Sequence, residues 1–343
     1  MAGEATLLPR IDFSGVDPST PGAGRWEVVR GQVMDALTSH GCFVAHHPAL
    51  TPDLRAALFD GAVRPLFALP VDAKRRNFYG DDKPHLGYHR GPPGRVSSES
   101  LAIVDGYKPE NVRAFADLVW TDGGGGGDAA TFSVKRETVH GAAKLLLELE
   151  ETVRRMVLEA LGVAKYHDAM NESTWHLFRM WEYKAVPSAE QEEEVGFGAP
   201  GSHQDTNTLS VVWQHEVDGL EVQTRDGDWI RVEPASLVVM VGNALRKTMP
   251  QYADVSRVID KGLAWTNDRL HAPFHRITIS GDVTRYSAIL FSVPDFMIQA
   301  PSELVGNENH PRLKPFKFDD FFRFCVSEEG ARHEDKLKAY CMV

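Results

Sequence analysis

The sequence has little of what would direct a chain to a membrane, to nucleic acid or to an oxidising compartment. It has three scattered cysteines in 343 residues, Cys42, Cys325 and Cys341, and their positions form neither a zinc spacing nor a disulfide framework. No apolar run approaches the roughly 18 residues of a membrane span. The formal net charge of −11 disfavours a nucleic-acid partner, which usually requires a basic face. We expect a cytoplasmic protein, without a membrane or nucleic-acid partner, that is a monomer.

Two local motifs are also absent. Near the N-terminus the longest apolar run before Pro9 is Leu7-Leu8, which is too short for the core of a signal peptide. The run Gly123–Gly127 lacks the Lys-Ser/Thr of a phosphate-binding loop, so a flexible surface linker is the better interpretation.

In the first half of the chain, the sequence pattern predicts helices around a few short strands. Apolar residues recur at helical spacing from Trp26 until Gly41, and Thr51 followed by Pro52 predicts the start of a second helix. The longest pattern is expected to begin at the cap Ser133 and to end at Gly162. Residues 80–112 are rich in Gly and Pro, so we expect loops and short strands that border a substrate opening, without a long helix.

From Trp175 onward the pattern changes to short strands separated by turns. We predict them at 208–213, 219–223, 229–232, 236–241, 275–280 and 285–292, with a solvated acidic loop at Gln191–Glu194. Many short strands that close on themselves are typical of a double-sheet jelly roll. The predicted fold is mixed α/β with a mainly β core. Its regions are a helical part with flanking strands (1–170), the jelly-roll core (171–300) and a helical extension (301–343), which includes a helix at Phe318–Phe324.

The strongest chemical pattern is His203-x-Asp205, just before the apolar run Thr208–Trp213. In an extended chain these two side chains lie on the same side, where one metal ion can reach both. Further along, His275 opens a β-branched run. Two histidines and one carboxylate, with positions left open, form the facial triad of non-haem Fe(II) oxygenases. We predict these three residues as the ligands of one Fe(II), with no catalytic side chain beyond them.

Arg285 and Ser287 lie ten and twelve residues after His275. A guanidinium group matches a carboxylate with two parallel hydrogen bonds. We therefore predict that Arg285 and Ser287 hold a dicarboxylate co-substrate; the alternative is a salt bridge within the strand.

Together these residues resemble the plant 2-oxoglutarate- and Fe(II)-dependent dioxygenases, and the AOP-like subgroup in particular. The similarity extends over most of the chain, including Val217–Val222, Asn267–His271 and His310–Leu313. The resemblance implies a double-stranded β-helix packed against the preceding helices. It also implies an enzyme that oxidises a small plant specialised metabolite, by hydroxylation or related C–H oxidation, while 2-oxoglutarate is converted to succinate and CO2. Fe(II) is the implied metal, and ascorbate is expected to support turnover.

The resemblance implies roles for two further residues. Tyr183 is expected to donate its hydroxyl to 2-oxoglutarate, although Trp181 stands where the wider family often has Asn. Phe291, six residues after Arg285, is expected either to face the substrate or to be a simple core residue. His215 and His271 lack a partner at ligand spacing and are expected to be surface groups or neighbours of the ligands.

One departure from the family is the separation of the two histidines. His203 and His275 are 72 residues apart (275 − 203), more than the family uses, and the surplus falls at about Arg246–Gly262. A longer loop costs little free energy, so we expect a surface excursion after which the strand resumes near Leu263.

Two alternatives remain open. The insertion at 246–262 could impair the iron site, leaving a homologue that acts as a binding protein. A zinc-type hydrolase could use the same three ligands with a metal-bound water, but it would leave Arg285 and Ser287 unexplained.

Overall fold

The computed structural model describes most of the chain. The described residues are 7–81, 83, 85–91, 98–120, 129–184, 193–195, 201–246, 269–279, 283–298, 315–333 and 335–341. The Gly123–Gly127 run, residues 247–262 of the insertion and the strand expected near Leu263 lie outside them.

Twelve strands lie in this part of the chain. They are β1 (Arg10–Asp12), β2 (Cys42–His46), β3 (His89–Arg90), β4 (Ser98–Val104), β5 (Thr174–Tyr183), β6 (Glu193–Val195), β7 (Leu209–Gln214), β8 (Leu220–Gln223), β9 (Trp229–Arg231), β10 (Leu237–Val241), β11 (His275–Ile279) and β12 (Arg285–Pro294). The large sheet has the order β1-β2-β10-β7-β12-β5-β4-β3, and the small sheet has the order β6-β11-β8-β9. The two sheets form the jelly-roll core that the strand pattern predicted.

Helices pack on the outer side of the large sheet, and two more follow β12 in the chain. They are α1 (Trp26–Ser39), α2 (Pro52–Ala56), α3 (Arg64–Phe67), α4 (Val71–Lys74), α5 (Pro109–Val119), α6 (Ala129–Ala160), α7 (His167–Glu172), α8 (Phe318–Val326) and α9 (Lys336–Cys341). A π-helical segment, Ala57–Val63, joins α2 to α3. None of the described helices has the length and apolar composition to cross a membrane.

The two faces of the large sheet have different neighbours. Phe178 and Met180 of β5 belong to the main core together with Leu146 and Val153 of α6. Trp181 and Tyr183, which alternate with them, pack against Ile279 of the small sheet. We call the first side the helix face and the second the barrel face. Because side chains alternate along a strand, odd-numbered residues of β5 and β12 lie on the barrel face.

Several local predictions are confirmed. The Thr51 side chain accepts a hydrogen bond from the Leu54 N–H at 3.2 Å, as expected of a helix N-cap. Gly41 has φ +73°, and a Cβ there would lie 2.2 Å from the carbonyl oxygen of His271. This explains why α1 ends at a glycine: both the backbone conformation and the close approach require it.

Three predictions are corrected. Helix α6 begins at Ala129, so Ser133 is not its cap; the Ser133 hydroxyl instead donates to Glu137 at 3.1 Å. Helix α5 falls across the end of the 80–112 segment, where no long helix was expected. The acidic loop at 191–194 overlaps strand β6, which begins at Glu193.

The region boundaries stay predictions. Strands β1 to β4 precede residue 171 and extend the large sheet, so the N-terminal region shares its core with the strands that follow. Helix α8 lies where the C-terminal helix was predicted. Its Phe318 and Phe321 pack with Val293 at the end of β12.

Candidate active site

Backbone pairing brings the two distant histidines together. The N–H of His203 donates to the His275 carbonyl at 3.0 Å, and the N–H of His275 donates to the His203 carbonyl at 2.9 Å. The two residues are therefore directly opposite each other in an antiparallel pair. Their imidazole rings lie 4.4 Å apart between centroids.

Asp205 completes the cluster. Its Oδ1 lies 3.8 Å from His203 Nε2 and 3.7 Å from His275 Nε2, and one ligand atom from each residue lies within 4.8 Å of the others. The hydroxyl of Ser210 donates to the other carboxylate oxygen, Oδ2. The Asp205 carbonyl also accepts from the Asn243 N–H at 2.7 Å. The carboxylate is thus held with one oxygen turned toward both imidazoles.

The three donors fit a divalent metal ion. Partial burial, and then the neighbouring His275, lower the pKa of His203, whose side chain is 41% exposed. The ring of His203 is therefore neutral at pH 7, the form in which imidazole binds a metal. Two imidazoles and one carboxylate are the donor set of the non-haem iron facial triad.

Arg285 lies deep in the barrel beyond this cluster. Its side chain is 0% exposed. Its Nη2 donates to Gln214 Oε1 at 2.8 Å, and its Nη1 lies 3.4 Å from the Ser287 hydroxyl. Its Nε has no hydrogen-bond partner, and in the described part of the chain no carboxylate lies within ion-pair distance of it. A buried cation with only neutral partners is costly unless an anionic ligand joins it.

Glycine makes room for that guanidinium. Gly219 has φ +135°, and a Cβ there would lie 2.7 Å from the Thr278 carbonyl oxygen and 3.3 Å from Arg285 Nε. A side chain at this position would push against both the strand pairing and the arginine. Gly219 is therefore part of the pocket that holds Arg285.

Tyr183 forms one wall of the same pocket. Its ring centroid lies 5.1 Å from Arg285 Cζ, and it stacks on Trp181 at 5.4 Å between centroids. Burial raises the pKa of Tyr183 to about 12, although the charge of Arg285 opposes the shift. The phenol is thus protonated at pH 7 and can donate a hydrogen bond.

The other predicted residues are placed less centrally. Phe291 pairs with Ser210 across β12 and β7, on the barrel face near the metal cluster, and packs with Leu177 and Leu86.

His215 is buried, stacks on Phe59 and lies 3.3 Å from Asp60 Oδ1. It is neither a surface group nor a neighbour of the ligands, because it follows Gln214 on the opposite face of the sheet. His271 is partly buried beside α1, where its N–H donates to the Leu37 carbonyl at 3.0 Å.

The sequence interpretation missed Ser210, Gln214 and the role of Gly219. Ser210 and Gln214 lie on β7, four residues apart, and so on one face. This spacing within an apolar strand was a usable signal that both side chains point into the barrel.

Comparison with known proteins agrees with this geometry. The sequence model of the 2OG-Fe(II) oxygenase superfamily matches residues 175–294. The probable 2-oxoglutarate-dependent dioxygenase AOP1 of Arabidopsis thaliana is 38% identical over 94% of this chain and 98% of its own length. A second Arabidopsis relative, the probable 2-oxoglutarate-dependent dioxygenase AOP1.2, is 36% identical over 97% of this chain and 95% of its own.

Solved structures show the same fold. The crystal structure of the rice dioxygenase for auxin oxidation is 29% identical, has a TM-score of 0.69, and is matched over 93% of this chain and 95% of that one. The Arabidopsis dioxygenase for auxin oxidation 1, in complex with 2-oxoglutarate, also has a TM-score of 0.69 at 23% identity, over 89% of this chain and 100% of that one.

The chain belongs to the 2OG-Fe(II) oxygenase superfamily and, within it, to the AOP-like dioxygenases. It is an oxidoreductase that uses Fe(II), 2-oxoglutarate and dioxygen to oxidise a small organic substrate. The alternative of a binding protein without catalysis is not favoured by these relatives.

Proposed function

We propose that His203, Asp205 and His275 hold the Fe(II), and that Arg285, Ser287 and Tyr183 bind the far carboxylate of 2-oxoglutarate. We further propose that the enzyme hydroxylates a C–H bond of a small plant specialised metabolite. This proposal is carried by one observation: a three-donor cluster lies in the same barrel as a fully buried arginine whose partners, among the described residues, are neutral. A zinc hydrolase would use the cluster and leave the arginine without a role.

The residues divide the work between them. Iron and 2-oxoglutarate, when bound, supply the chemistry that splits dioxygen, releases CO2 and succinate, and oxidises the substrate. Two imidazoles and the Asp205 carboxylate leave several metal positions open. The Ser210 hydroxyl holds one carboxylate oxygen of Asp205 and leaves the other turned toward the two imidazoles. Arg285 would offset the charge of the co-substrate. Trp181, Tyr183 and Ile279 pack into an apolar wall that excludes water from this end of the barrel.

Phe291 supports a substrate site on the side of the metal away from Arg285. It lies on the barrel face opposite Ser210, whose hydroxyl holds Asp205. A planar or aliphatic substrate body placed there would contact Phe291 while its reacting carbon faces the metal.

The test is coupled turnover of the purified chain with Fe(II), ascorbate and 2-oxoglutarate. We expect succinate formation that requires both iron and 2-oxoglutarate, and a product 16 mass units heavier, one added oxygen, when a metabolite extract contains the substrate. Arg285→Gln should abolish saturation by 2-oxoglutarate, whereas Arg231→Gln, a half-exposed arginine of the small sheet, should leave it unchanged. Zinc-dependent hydrolysis without any succinate would contradict the proposal.

The remaining expectations concern the protein in the cell. The net charge of −11 and the three scattered cysteines support a monomeric cytoplasmic enzyme without a nucleic-acid partner. Elution at the position of a 38.1 kDa species in size-exclusion chromatography is the expected result, and a dimer would contradict the monomer.

A further inference from the structure

Gln204 lies in the sequence between His203 and Asp205, and its side chain joins two distant segments of the site. Its Nε2 donates to the Ala272 carbonyl at 2.6 Å. Ala272 is fully buried and precedes His275 by three residues. One amide side chain thus connects the segment that carries His203 and Asp205 to the segment that carries His275.

Arg246 bonds the other end of the same amide. Its Nη1 donates to Gln204 Oε1 at 2.8 Å and to Asn243 Oδ1 at 3.3 Å. This nitrogen carries two N–H groups, so each of the two acceptors can take one of them. Because a guanidinium group has donors and no acceptor, it holds the Gln204 amide with its oxygen toward Arg246 and its NH2 group toward the Ala272 carbonyl. We call Arg246, Gln204 and Ala272 the amide bridge.

The backbone that carries Arg246 is itself fixed beside a proposed metal ligand. The N–H of Asn243, a residue that is buried, donates to the Asp205 carbonyl at 2.7 Å. The N–H of Arg246 donates to the Gly242 carbonyl at 3.1 Å, which closes a turn after β10. The guanidinium therefore extends from a turn that is anchored to the metal-ligand segment.

Arg246 also marks the point at which this chain departs from its family. The surplus residues between the two histidines fall at about Arg246–Gly262. Arg246 is partly buried, and its side chain bonds to Gln204. The surplus segment therefore begins with a contact to the site.

We propose that Gln204 and Arg246 are positioning residues for the iron ligands. The backbone pair of His203 and His275 joins the two ligand segments at one place. The amide bridge joins them at a second place, so that one segment cannot turn about the first connection. Groups that orient metal ligands in this way typically contribute 10- to 100-fold to metal affinity. The inference rests on the proposed function, since it takes the three-donor cluster as the iron site.

The test measures Fe(II) affinity of the full chain by isothermal titration calorimetry under argon. Gln204→Leu keeps the approximate size of the side chain and loses both bonds, so Fe(II) should bind at least about tenfold more weakly. Arg246→Met should weaken binding by a similar factor. Loss of a positive charge alone would strengthen the binding of a cation, so weaker binding by Arg246→Met cannot be an effect of charge.

A double-mutant cycle isolates the amide bridge from any other contact of its residues. Gln204→Leu combined with Arg246→Met should bind Fe(II) no more weakly than the weaker single variant, because both changes break the same connection. If the two losses multiply instead, the residues act independently and the bridge is wrong. Arg246→Lys keeps the charge without the planar fork. Its affinity should lie between those of wild type and Arg246→Met, and it replaces Arg246→Met in the cycle if that variant does not fold.

The matched control is Arg225→Met, at an exposed arginine that donates to the carbonyls of Thr38 and Ser39. It should lower the melting temperature of the metal-free protein about as much as Arg246→Met does, and leave Fe(II) affinity unchanged. If Arg225→Met weakens Fe(II) binding by the same factor, the loss reflects general stability and the positioning role is wrong.

Failure of the inference differs from failure of the proposed function. If the wild-type chain binds no Fe(II), or if Asp205→Ala still binds one iron, the ligand assignment is wrong whatever the amide bridge does. If the wild-type chain binds one Fe(II), and both Gln204→Leu and Arg246→Met bind it equally tightly, the ligands stand and the positioning role is overturned.

Discussion

The two faces of the large sheet carry opposite chemistry on the same strands. On the helix face, Ala288 and Leu290 of β12 are fully buried in the apolar core with α6. On the barrel face of the same strand, Arg285 and Ser287 are equally buried, at 0% and 1% exposure, yet they are polar. Burial is thus the same on both faces, and what differs is whether the buried groups are satisfied within the protein.

Two buried arginines make this contrast sharper. Arg154 of α6 is paired with Glu150, with Nη2 2.9 Å from Oε2 and both side chains at most 1% exposed. Arg285 has a hydroxyl and an amide as partners, and no carboxylate of the described residues lies within ion-pair distance of it. The first arginine completes an ion pair within the fold, whereas the second has the environment of a group that receives an anion from outside. Buried charge indicates function only where its counter-charge is missing.

The largest expected effect is at the metal cluster. We expect His203→Ala, Asp205→Ala and His275→Ala each to reduce succinate formation by more than about 100-fold, because even residues that only support a metal ligand contribute about 10- to 100-fold. Circular dichroism should show an unchanged fold. His46→Ala, at an exposed histidine, is the control. A cluster variant with near wild-type turnover would remove that residue from the ligand set.

The next effect separates the two arginines. Arg285→Lys keeps the charge but loses the two-pronged fit, so KM for 2-oxoglutarate should rise at least tenfold, about 1.4 kcal/mol. The paired control is Arg154→Lys, which should lower the melting temperature and leave that KM unchanged. If Arg285→Lys and Arg154→Lys raised KM for 2-oxoglutarate by the same factor, Arg285 would have no special role in binding the co-substrate.

A smaller effect is expected at Gln214, which we regard as a positioning residue for Arg285. Gln214→Leu removes the acceptor of the 2.8 Å bond, and a hydrogen bond contributes about 1 kcal/mol. KM for 2-oxoglutarate should therefore rise about fivefold with little change in kcat. Gln214→Glu should raise KM further, because its carboxylate would compete with the co-substrate for Arg285. A Glu variant that binds 2-oxoglutarate normally would show that Gln214 does not act through Arg285.

The smallest effect on the reaction is expected from the helix face. Leu290→Ala creates a cavity in the core and should destabilise the fold by about 2–5 kcal/mol, measured by urea denaturation. KM for 2-oxoglutarate should nevertheless stay within about twofold of wild type at a temperature where the variant is folded. A large KM change without loss of stability would mean that the two faces are not independent.

The sequence was sufficient to predict the chemistry that depends on local spacing. Residues two apart in an extended chain lie on the same side of the backbone. This spacing pairs His203 with Asp205 and Arg285 with Ser287. Their assembly into one site needed the family resemblance, because the distance from His203 to His275 is set by backbone pairing between segments far apart in the chain. The partners of these residues, Ser210 and Gln214, depend on the register between β7 and β12, which one sequence does not reveal.

The missed helix has a different cause. The many Gly and Pro residues in 80–112 led to an expectation of loops, but α5 starts at Pro109, a residue favoured at the first helical position. Val112, Phe115, Ala116 and Val119 then follow at helical spacing, and all are buried. That pattern was present in the sequence and indicates a helix once the window is shifted past the glycines.

The most direct test of the central claim is the iron content of the wild-type protein and of Asp205→Ala after reconstitution under argon and removal of unbound metal. The claim is that His203, Asp205 and His275 bind one Fe(II) between them. We expect one iron per wild-type chain, with 2-oxoglutarate binding that depends on it, and essentially none in the variant while its fold is intact. Retention of stoichiometric iron by Asp205→Ala would contradict the claim and place the metal elsewhere in the chain.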